Sequence, residues 1–530
     1  MNERTRGKTN EFLNYRKNLN VKLPFHWRKV TMPLTVIVTL LLLTAGSLGV
    51  ALYYKNRTPE PLAPYTDDVI VNTYIPLNQT YPKTAVDKFH GYYVVTWASE
   101  LQVAPNSDYD VYMTLYDNTD NPVISETLVN QNWFNDQAYN QSLQTPTGLD
   151  VDICFDGVNM NWKILVVWST YDPNGTEYNV SMRLFSYDSG TLSPLTNEIT
   201  VNTYTQGFQS GLRRGLAAIY TLNSTNLAYC PDIAIITWST FGENGQEPHN
   251  DFFGDIFARR YNIMNLSFVD AEEFRVNTGI DGTQTNPDVA ANDTTAVFVW
   301  ENHSSAVGIG VDPPDIYARR YNFTTGQFID SEDFIVNTNV TGNQLNPRAM
   351  VSLSTVLSGS GHFGFVWSSD HVDPDGDIYG IDFYGNGTRI YDDRFIGSSS
   401  SNIVDSFPSL STNYSGDFIV VWASNYTNSG DSDILGYMGN LSGWLGDMFT
   451  VNQNTINNQR YPDVAMRLNR SYIPVWASNH NNVDEFNVYK RSYDPVPDFE
   501  LNLRILFMIG TVVTVILITL PSIYKKRREL

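Results

Sequence analysis

Apolar and polar positions alternate along most of the chain in short runs, and one arrangement of these runs recurs seven times. Its clearest copy lies between Thr278 and Thr338, where four runs rich in β-branched and aromatic residues are separated by Asn, Asp, Gly and Pro. Runs bounded in this way predict β-strands, and four strands in about sixty residues are typical of one sheet in a repeat protein. The pattern therefore predicts an all-β array.

A tryptophan at the end of an apolar run marks each repeat. The run before it is continuous and β-branched, as in residues 418–421, which predicts a strand buried on both faces. A loop rich in Asp, Asn and Gly follows, then a tyrosine-rich strand, then an outer strand ending in Val-Asn-Thr or a relative of it. Each repeat is thus predicted to be a four-stranded sheet. The seven tryptophans are Trp97, Trp168, Trp238, Trp300, Trp367, Trp422 and Trp476.

The two ends of the array predict how its sheets are arranged. The array starts with an outer strand at 67–73 and stops after a third strand at 486–493. A linear stack would leave both edges bare, which sheet proteins avoid. If the first strand completes the last sheet, the ring closes, so we predict a seven-bladed β-propeller. An open solenoid or two sandwiches would leave that first strand without a role.

Two charge-free apolar segments flank the array, and each is long enough for a helix that spans a bilayer. The long leader before the first segment fits an uncleaved signal anchor better than a cleaved signal peptide. Both ends of the chain are basic, which predicts that both termini are cytoplasmic and that the propeller lies outside the cell membrane. The predicted order is a basic leader at 1–29, a transmembrane helix at 30–54, a linker at 55–66, the propeller ectodomain at 67–494, a linker at 495–504, a transmembrane helix at 505–524 and a basic tail at 525–530.

The negative charge is concentrated between the two apolar segments. The chain has 34 Lys and Arg against 56 Asp and Glu, and the leader and tail together hold twelve of the basic and three of the acidic residues. The remainder is therefore strongly acidic, which argues against nucleic acid as a partner. The basic ends are explained by topology and by anionic lipid head groups. The lipid bilayer is a predicted partner.

Sixteen Asn-x-Ser/Thr sequons lie between Asn56 and Asn469, and none lies in the leader or tail. Their restriction to one side of the predicted membrane indicates a glycosylated surface, although an Asn-rich composition yields some sequons by chance. We expect only a portion to be used. The glycosylation candidates are Asn78, Asn140, Asn174, Asn223, Asn265, Asn292, Asn302, Asn322, Asn339, Asn386, Asn413, Asn425, Asn440 and Asn469.

The chain has two cysteines, Cys154 and Cys230, which fall in different repeats. An extracellular setting permits a bond between them. Because they belong to different sheets, we expect two separate buried thiols.

Acidic residues collect in the loops between the second and third strands. Asp373, Asp375 and Asp377 come nearest to a metal site, because three carboxylates at alternate positions beside a glycine can converge on one Ca²⁺ ion. The motif lacks the distal glutamate of an EF-hand, and Asp is also common in tight hairpins for its turn chemistry. Turn chemistry is the favoured interpretation, and calcium stays a hypothesis. No other cofactor is predicted.

No catalytic constellation is found in the sequence. There is no His-x-x-x-His or Cys-x-x-Cys spacing for zinc, no sialidase-type aspartate box and no nucleophile elbow. The pairs Arg259-Arg260 and Arg319-Arg320 cannot form one anion clamp, because successive strand residues face opposite ways. Their equivalent positions in two repeats predict a structural role between blades. The sequence therefore favours a protein that is not an enzyme.

The order Val-Asn-Thr, Gln, Asn-Pro-x-Val-Ala, an apolar run to Trp and Asp-Ile-Tyr-Ala-Arg-Arg-Tyr-Asn resembles propeller-type repeats of prokaryotic surface and secreted proteins. Sequon density together with two anchors looks more archaeal than bacterial. The resemblance covers residues 67–494 and is strongest at 255–367. It implies a propeller in an extracellular place, but no particular chemistry, because propellers host both binding and catalysis.

Two functions from different classes follow from these observations. The first is a membrane-anchored recognition or adhesion module that presents its acidic membrane-distal rim to an extracellular protein or glycan. The alternative is a surface carbohydrate-active propeller, sialidase-like or otherwise glycan-cleaving, in which two acids from different blades meet at the channel mouth. A structural element of the cell envelope fits the same features. Six loop aromatics are contact candidates, whereas the repeated Trp and Tyr belong to the core: Trp133, Phe134, Tyr139, Phe208, Phe252 and Phe253.

Overall fold

The computed structural model shows an all-β chain arranged as a seven-bladed propeller, as the repeat pattern predicts. No described residue lies in a helix, so no helix in this part of the chain is long and apolar enough to cross a membrane. The predicted spans at 30–54 and 505–524 lie outside the described residues. The structure describes residues 64–493 except for 104–107, 133–136, 141–144, 147, 172–177, 206–207, 210–217, 220–232, 242–253, 280–281, 293–294, 304–312, 324, 353–360, 398–402, 414–415, 426–430, 441–447 and 482–484.

Each blade is an antiparallel sheet whose first strand lies at the centre of the ring and whose fourth strand lies at the outside. Blades 1 to 3 are formed, in chain order, by Gln79–Val86, Tyr93–Glu100, Tyr109–Tyr116 and Pro122–Leu128; by Leu149–Asp156, Asn161–Tyr171, Tyr178–Asp188, Thr191–Pro194 and Ile199–Thr200; and by Ala218–Ile219, Ile233–Phe241, Asp255–Asn262, Ser267–Phe268 and Phe274–Arg275. The short strand Phe208–Gln209 pairs with both blades 2 and 3, and Tyr139–Asn140 pairs with Thr145–Pro146.

Blades 4 to 7 follow the same plan. They are formed by Thr283–Ala291, Thr295–His303, Asp315–Asn322, Gln327–Phe328 and Phe334–Ile335; by Gln344–Val351, His362–Ser369, Asp377–Tyr384 and Arg394–Phe395; by Asp405–Thr412, Asp417–Ser424, Asp433–Asn440 and Met448–Thr450; and by Gln459–Met466, Tyr472–Ser478, Asn487–Lys490 and, from the start of the array, Val69–Ile70.

The ring closes through the strand at the beginning of the array. Val69 pairs with Lys490 and Ile70 with Tyr489, and the Val71 amide donates to the Val488 carbonyl at 2.8 Å. This confirms the predicted closure of the last blade by both ends of the array. The strand is shorter than the predicted 67–73, because the side chain of the following asparagine, rather than the backbone, continues the pairing.

That asparagine is the one in the Val-Asn-Thr motif, and it works in the same way in six blades. In blade 7, Asn72 Oδ1 accepts the Val488 amide at 2.7 Å, while Nδ2 donates to Asn487 Oδ1 at 2.8 Å and to the Tyr74 carbonyl at 2.8 Å. One buried side chain thus ties the outer strand, the third strand and the next turn together. The equivalent residues are Asn130, Asn202, Asn277, Asn337 and Asn452.

A second repeated contact joins neighbouring blades. A carboxylate three residues before the motif valine accepts backbone amides from the turn that follows the motif of the preceding blade, as Asp333 does from Thr278 at 2.9 Å. Six junctions have this inter-blade carboxylate: Glu126, Glu198, Glu273, Asp333, Asp393 and Asp68. These six acids are therefore structural, although the acidic composition alone does not distinguish them from surface carboxylates.

Arginines complete most of these junctions. Arg319 Nη1 donates to the Val276 carbonyl of the preceding blade at 2.7 Å, and Arg259 makes the same bond to Val201. The neighbouring Arg320 turns the other way and pairs with Asp330 at 2.5 Å. This confirms the structural role predicted for the arginine pairs. Arg183, Arg389 and Arg491 supply the equivalent bond in three other blades.

Two rims are used as landmarks below. The upper rim is formed by the fourth-to-first and second-to-third loops, and the lower rim by the first-to-second and third-to-fourth loops. The array begins and ends at the lower rim, where Pro64 and Tyr493 form a bridge.

The expectation of two separate thiols is wrong. Cys154, on the inner strand of blade 2, is disulfide-bonded, and Cys230 is the only other cysteine in the chain. Membership of different sheets does not separate the two cysteines, because neighbouring blades pack face to face. The bond therefore joins the inner strand of blade 2 to the chain between the first and second strands of blade 3.

Replacing Asn72 by Ala removes one acceptor and two donated hydrogen bonds at the closing sheet. We expect a loss of unfolding free energy of about 1–3 kcal/mol, because the Val488 amide and the Asn487 side chain lose their buried partner. Thermal unfolding of the full chain in detergent measures this. Glu332→Ala, which changes an exposed residue of blade 4, serves as the control and is expected to unfold like the parent.

Candidate functional site in the central channel

A β-bulge before a proline shapes five of the seven inner strands. The pairing with the second strand shifts at this point, and the residue before the proline has a positive φ between 50° and 57°. Bulges of this kind re-aim the side chains that follow. The residues with positive φ are Tyr81, Asn286, Asn346, Phe407 and Tyr461.

The residue that follows each proline lines the channel. In blade 2, which has no such proline, Asp150 pairs with the second strand in the equivalent register, opposite the residue before the core tryptophan. Six blades therefore contribute one side chain each, and five of the six can carry charge. We call this set the channel ring: Lys83, Asp150, Asp288, Arg348, Ser409 and Asp463.

Two ion pairs of the channel ring join adjacent blades. Asp463 of blade 7 lies 3.7 Å from Lys83 Nζ and accepts the Thr84 amide at 2.8 Å and the Ser409 hydroxyl at 2.6 Å. Asp288 of blade 4 lies 3.3 Å from Arg348 Nη1 and accepts the amide of residue 349 at 2.9 Å. Each of these two carboxylates is thus matched by a cation and by backbone donors.

Two members of the channel ring keep unused hydrogen-bonding capacity. Asp150 has no ion pair among the described residues, and one of its oxygens accepts the neighbouring Val151 amide at 2.9 Å. Burial in the channel, partly opposed by Lys83, raises the pKa of Asp150 well above its ordinary value, which favours the protonated carboxyl. Arg348 is buried, yet its Nε and Nη2 have no partner among the described residues.

A cavity of about 230 Å³ lies between the channel ring and the lower rim. It exists because the side chains two positions after the channel ring are mostly small: Ala85, Ala290, Ser411 and Ala465. Asp152 of blade 2 is half-buried at the same level. The volume suits one small polar ligand or a group of waters.

Lys88 extends across the lower end of this cavity. It belongs to the first-to-second loop of blade 1, and its Nζ donates to the Thr412 carbonyl of blade 6 at 2.7 Å. Desolvation, partly offset by Asp152, lowers the pKa of Lys88 to about 8. The amine is therefore partly neutral near physiological pH, which is unusual for lysine.

A group of aromatic side chains joins blades 1 and 2 next to the cavity, and Phe155 is the member of the group that lines it. The rings of Tyr92 and Trp162 stack at 4.0 Å, and His90 lies 4.2 Å from Phe155. Asp87 holds this group together, because it accepts the Trp162 indole N–H at 3.2 Å and lies 2.6 Å from His90 Nδ1. Phe155 is buried, and the other three aromatic rings are half-buried.

The structure does not bring the predicted calcium ligands together. No group of three or more His, Cys, Asp or Glu side chains in the described part of the chain is arranged to hold a metal ion. Asp373 instead accepts the Asp375 amide at 3.1 Å, which is the turn chemistry favoured from sequence. Asp377 is buried, and desolvation, with Asp405 and then Asp373 nearby, raises its pKa to about 6.

The sequons lie on both rims, and their glycosylation stays a prediction. Asn265, Asn386 and Asn469 are exposed on turns of the lower rim. Asn413 is buried, and its amide donates to Asp417 at 3.1 Å. Asn174 and Asn223 lie outside the described residues, and no side chain is described for Asn140. The remaining candidates are half-buried: Asn78, Asn292, Asn302, Asn322, Asn339, Asn425 and Asn440.

Several acids of the predicted acidic rim are built into the fold. Asp110, Asp255 and Asp433 are buried and each accepts the side-chain amide of its motif asparagine at 2.6 or 2.7 Å. Of the loop aromatics predicted as contacts, Trp133, Phe134, Phe252 and Phe253 lie outside the described residues. The channel ring was not predicted, although a residue after a proline marks it in five repeats.

Comparisons with known proteins give a likeness of overall structure alone. No protein-family model matches the chain, and no curated protein matches it. Among solved structures, a polysaccharide lyase described as an ulvan lyase, bound to -[GlcA(1-4)Rha3S]-, has a TM-score of 0.47 at 11% identity over 79% of this chain and 94% of that chain. A Dyadobacter fermentans protein of unknown function has a TM-score of 0.41 at 8% identity over 82% and 100%. The Dos1 propeller has a TM-score of 0.39 at 11% identity over 82% and 96%.

Lys88 is expected to react with an amine-specific acylating reagent with a half-maximal rate near pH 8, whereas exposed lysines need a higher pH. Asp152→Asn removes a carboxylate that raises the pKa of this amine, so the half-point should move to lower pH. Peptide mass spectrometry across a pH series measures both. A half-point for Lys88 equal to that of exposed lysines would contradict the desolvated site.

Proposed function

We propose that this protein is a membrane-anchored recognition propeller, and that its ligand binds in the central channel rather than on an acidic upper rim. The channel ring carries the proposal. A polar side chain buried in a channel costs stability unless it is partnered, and Asp150, which burial favours in its protonated form, has no ion pair among the described residues. The fold already has its own repeated contacts between blades, so this carboxyl adds nothing that ring closure requires.

The lining favours a neutral ligand rich in hydroxyl groups, such as one end of a glycan. The cavity offers donors from Lys88 and a protonated Asp150, and acceptors from Asp152 and Ser411. The cations of the channel ring are matched by Asp288 and Asp463, so there is little net charge to attract an anion. A hydroxyl group can both donate and accept, which suits such a mixed lining.

The distribution of sequons supports access from the lower rim. The lower-rim turns of blades 3 to 7 contain the sequons Asn265, Asn292, Asn322, Asn386, Asn413, Asn440 and Asn469. The corresponding turns of blades 1 and 2 contain none, and these blades carry the aromatic group of which Phe155 lines the cavity. If the lower-rim sequons are glycosylated, this sector stays open.

The cellular setting is part of the same proposal. Apolar segments at 30–54 and 505–524 between basic ends would hold both termini in the cytoplasm and the propeller outside. Glycans on exposed sequons and an acidic surface suit a domain displayed at the cell envelope. Adhesion to a neighbouring cell and a role in envelope architecture are two uses of the same recognition.

Calorimetric titration of the full chain in detergent with neutral mono- and disaccharides, and with the matching uronic acids, tests the ligand class. We expect a neutral saccharide to bind at one site per chain. Asp150→Leu should weaken that binding about tenfold or more, since it deletes a hydrogen-bonding group, whereas Asp150→Asn should retain it because the amide mimics a protonated carboxyl. Asp188→Asn, on an exposed lower-rim turn, is the control. Absence of binding by every saccharide, or binding indifferent to Asp150→Leu, would overturn the proposal.

A glycan-cleaving propeller is the second candidate, and the raised pKa of Asp150 is the observation that favours it. A carboxyl held protonated in a cavity can act as a general acid. Asp150→Asn separates the two functions, because the amide preserves binding and cannot donate a proton to a leaving group. Release of reducing ends by the parent protein and its loss in this variant would establish cleavage. Binding without release would establish recognition.

A further inference from the structure

One junction of the ring departs from every repeated contact described above. Between blades 5 and 6, Gly397 stands where six blades have the motif asparagine, and Met448 stands where six have the inter-blade carboxylate. Tyr437 occupies the position of Arg259 and Arg319. The same two blades still pack through a continuous apolar core that includes Ile396, Phe418 and Trp422.

The inner strand of blade 6 carries a further change. In blades 1, 2, 5 and 7 a glutamine accepts the indole N–H of the core tryptophan, as Gln344 does from Trp367 at 2.8 Å. Asp405 replaces that glutamine, and the shorter side chain leaves Trp422 Nε1 buried without a partner among the described residues. An unmet buried donor costs about 1–3 kcal/mol, so the exchange is unfavourable for this blade alone.

The two substitutions depend on each other. A Cβ added to Gly397 would lie 2.5 Å from Asp405 Oδ2, so no larger residue fits there while Asp405 keeps its place. Asp405 therefore occupies space that the motif asparagine fills in other blades. In those blades the asparagine donates to the first or second residue of the third strand, and here Asp377, at the corresponding position, has the Asp405 carboxylate as a neighbour instead.

We propose that the junction between blades 5 and 6 is the opening seam of the ring, and that Asp377 and Asp405 form a carboxyl pair that tightens this seam in acid and loosens it at neutral pH. Two carboxylates held together repel each other when both are ionised, and they are held together when one proton is shared. No comparable pair replaces the motif asparagine in the other six blades.

The charged surroundings of Asp377 give the sign of the effect. Asp405 acts on it from blade 6 and Asp373 from the preceding turn, while Tyr379 on the same strand lies near Asp377, Asp393 and His371. Arg394, on the outer strand, stacks over Tyr391 at 3.8 Å. Desolvation and the two carboxylates raise the pKa of Asp377 from 3.8 to about 6. A raised carboxyl pKa means that the closed seam binds the proton more tightly than the open one, so its stability is lost as pH rises through about 6.

Hydrogen–deuterium exchange on the full chain in detergent tests the seam, with rates corrected for the intrinsic effect of pH. We expect the amides of 394–397 and 405–412 to be less protected than those of 459–466 at pH 7.5. Between pH 7.5 and 5.5 their protection should rise about fourfold. This is the change in the closing equilibrium expected when the pKa of Asp377 is 3.8 in the open seam and about 6 in the closed seam. Asp405→Asn removes one charge at nearly constant shape and should keep the seam protected at both pH values.

Two double variants complete the test. Gly397→Asn with Asp405→Gln restores the repeat and should make the junction as protected as its neighbours and insensitive to pH in this range. Asn452→Gly with Gln459→Asp moves the substitutions to the junction between blades 6 and 7 and should create a second pH-dependent seam there. Equal protection of all junctions at both pH values, or an unchanged pH response in Asp405→Asn, would overturn the proposal.

Discussion

The pairing of the first strand with the last blade is the constraint on which the rest of this structure depends. Each sheet is buried on both faces, and its tryptophan is almost fully covered only because a neighbouring blade lies on either side. Without the contact between Ile70 and Tyr489, blades 1 and 7 would each lose a neighbour and present apolar surface. The channel also exists only in the closed ring, because six inner strands from residues 79 to 466 converge on it.

Closure alone does not fix how blades meet, and repeated polar side chains do this. Asparagine ties each outer strand to its own blade, while carboxylates and arginines bind the turn of the blade before. These are directional contacts on buried backbone groups, so each one sets the position of a blade as well as stabilising it. These contacts also account for part of the acidic composition, because acids such as Asp333 and Glu273 accept backbone amides at blade junctions and do not form an open recognition surface.

Most of the fold could be predicted from the sequence because its motifs recur once per blade. Seven tryptophans, the Val-Asn-Thr motif and the incomplete ends of the array each pointed to the same closed ring. The site could not be predicted in the same way, because residues of the channel ring in successive blades lie about sixty residues apart in the sequence. Only the bulge before each proline turns their side chains towards the channel axis. The alternating aspartates at 373–377 suited either a metal or a tight turn, and the turn chemistry favoured from the sequence is the one that the structure shows, since Asp373 accepts the Asp375 amide. The disulfide of Cys154 was missed because blade membership says little about distance between packed faces.

A cross-linking measurement addresses the closed ring most directly. Ile70→Cys combined with Tyr489→Cys places two thiols at facing positions of the closing sheet, within reach of a disulfide. Non-reducing peptide mapping of the oxidised full chain should find these two cysteines bonded in nearly all molecules, while Ile70→Cys with Met466→Cys, on the inner strand of the same blade, should give no bond. If the facing pair stays reduced while the distant pair bonds, the ring, its channel and the site inside it are contradicted together.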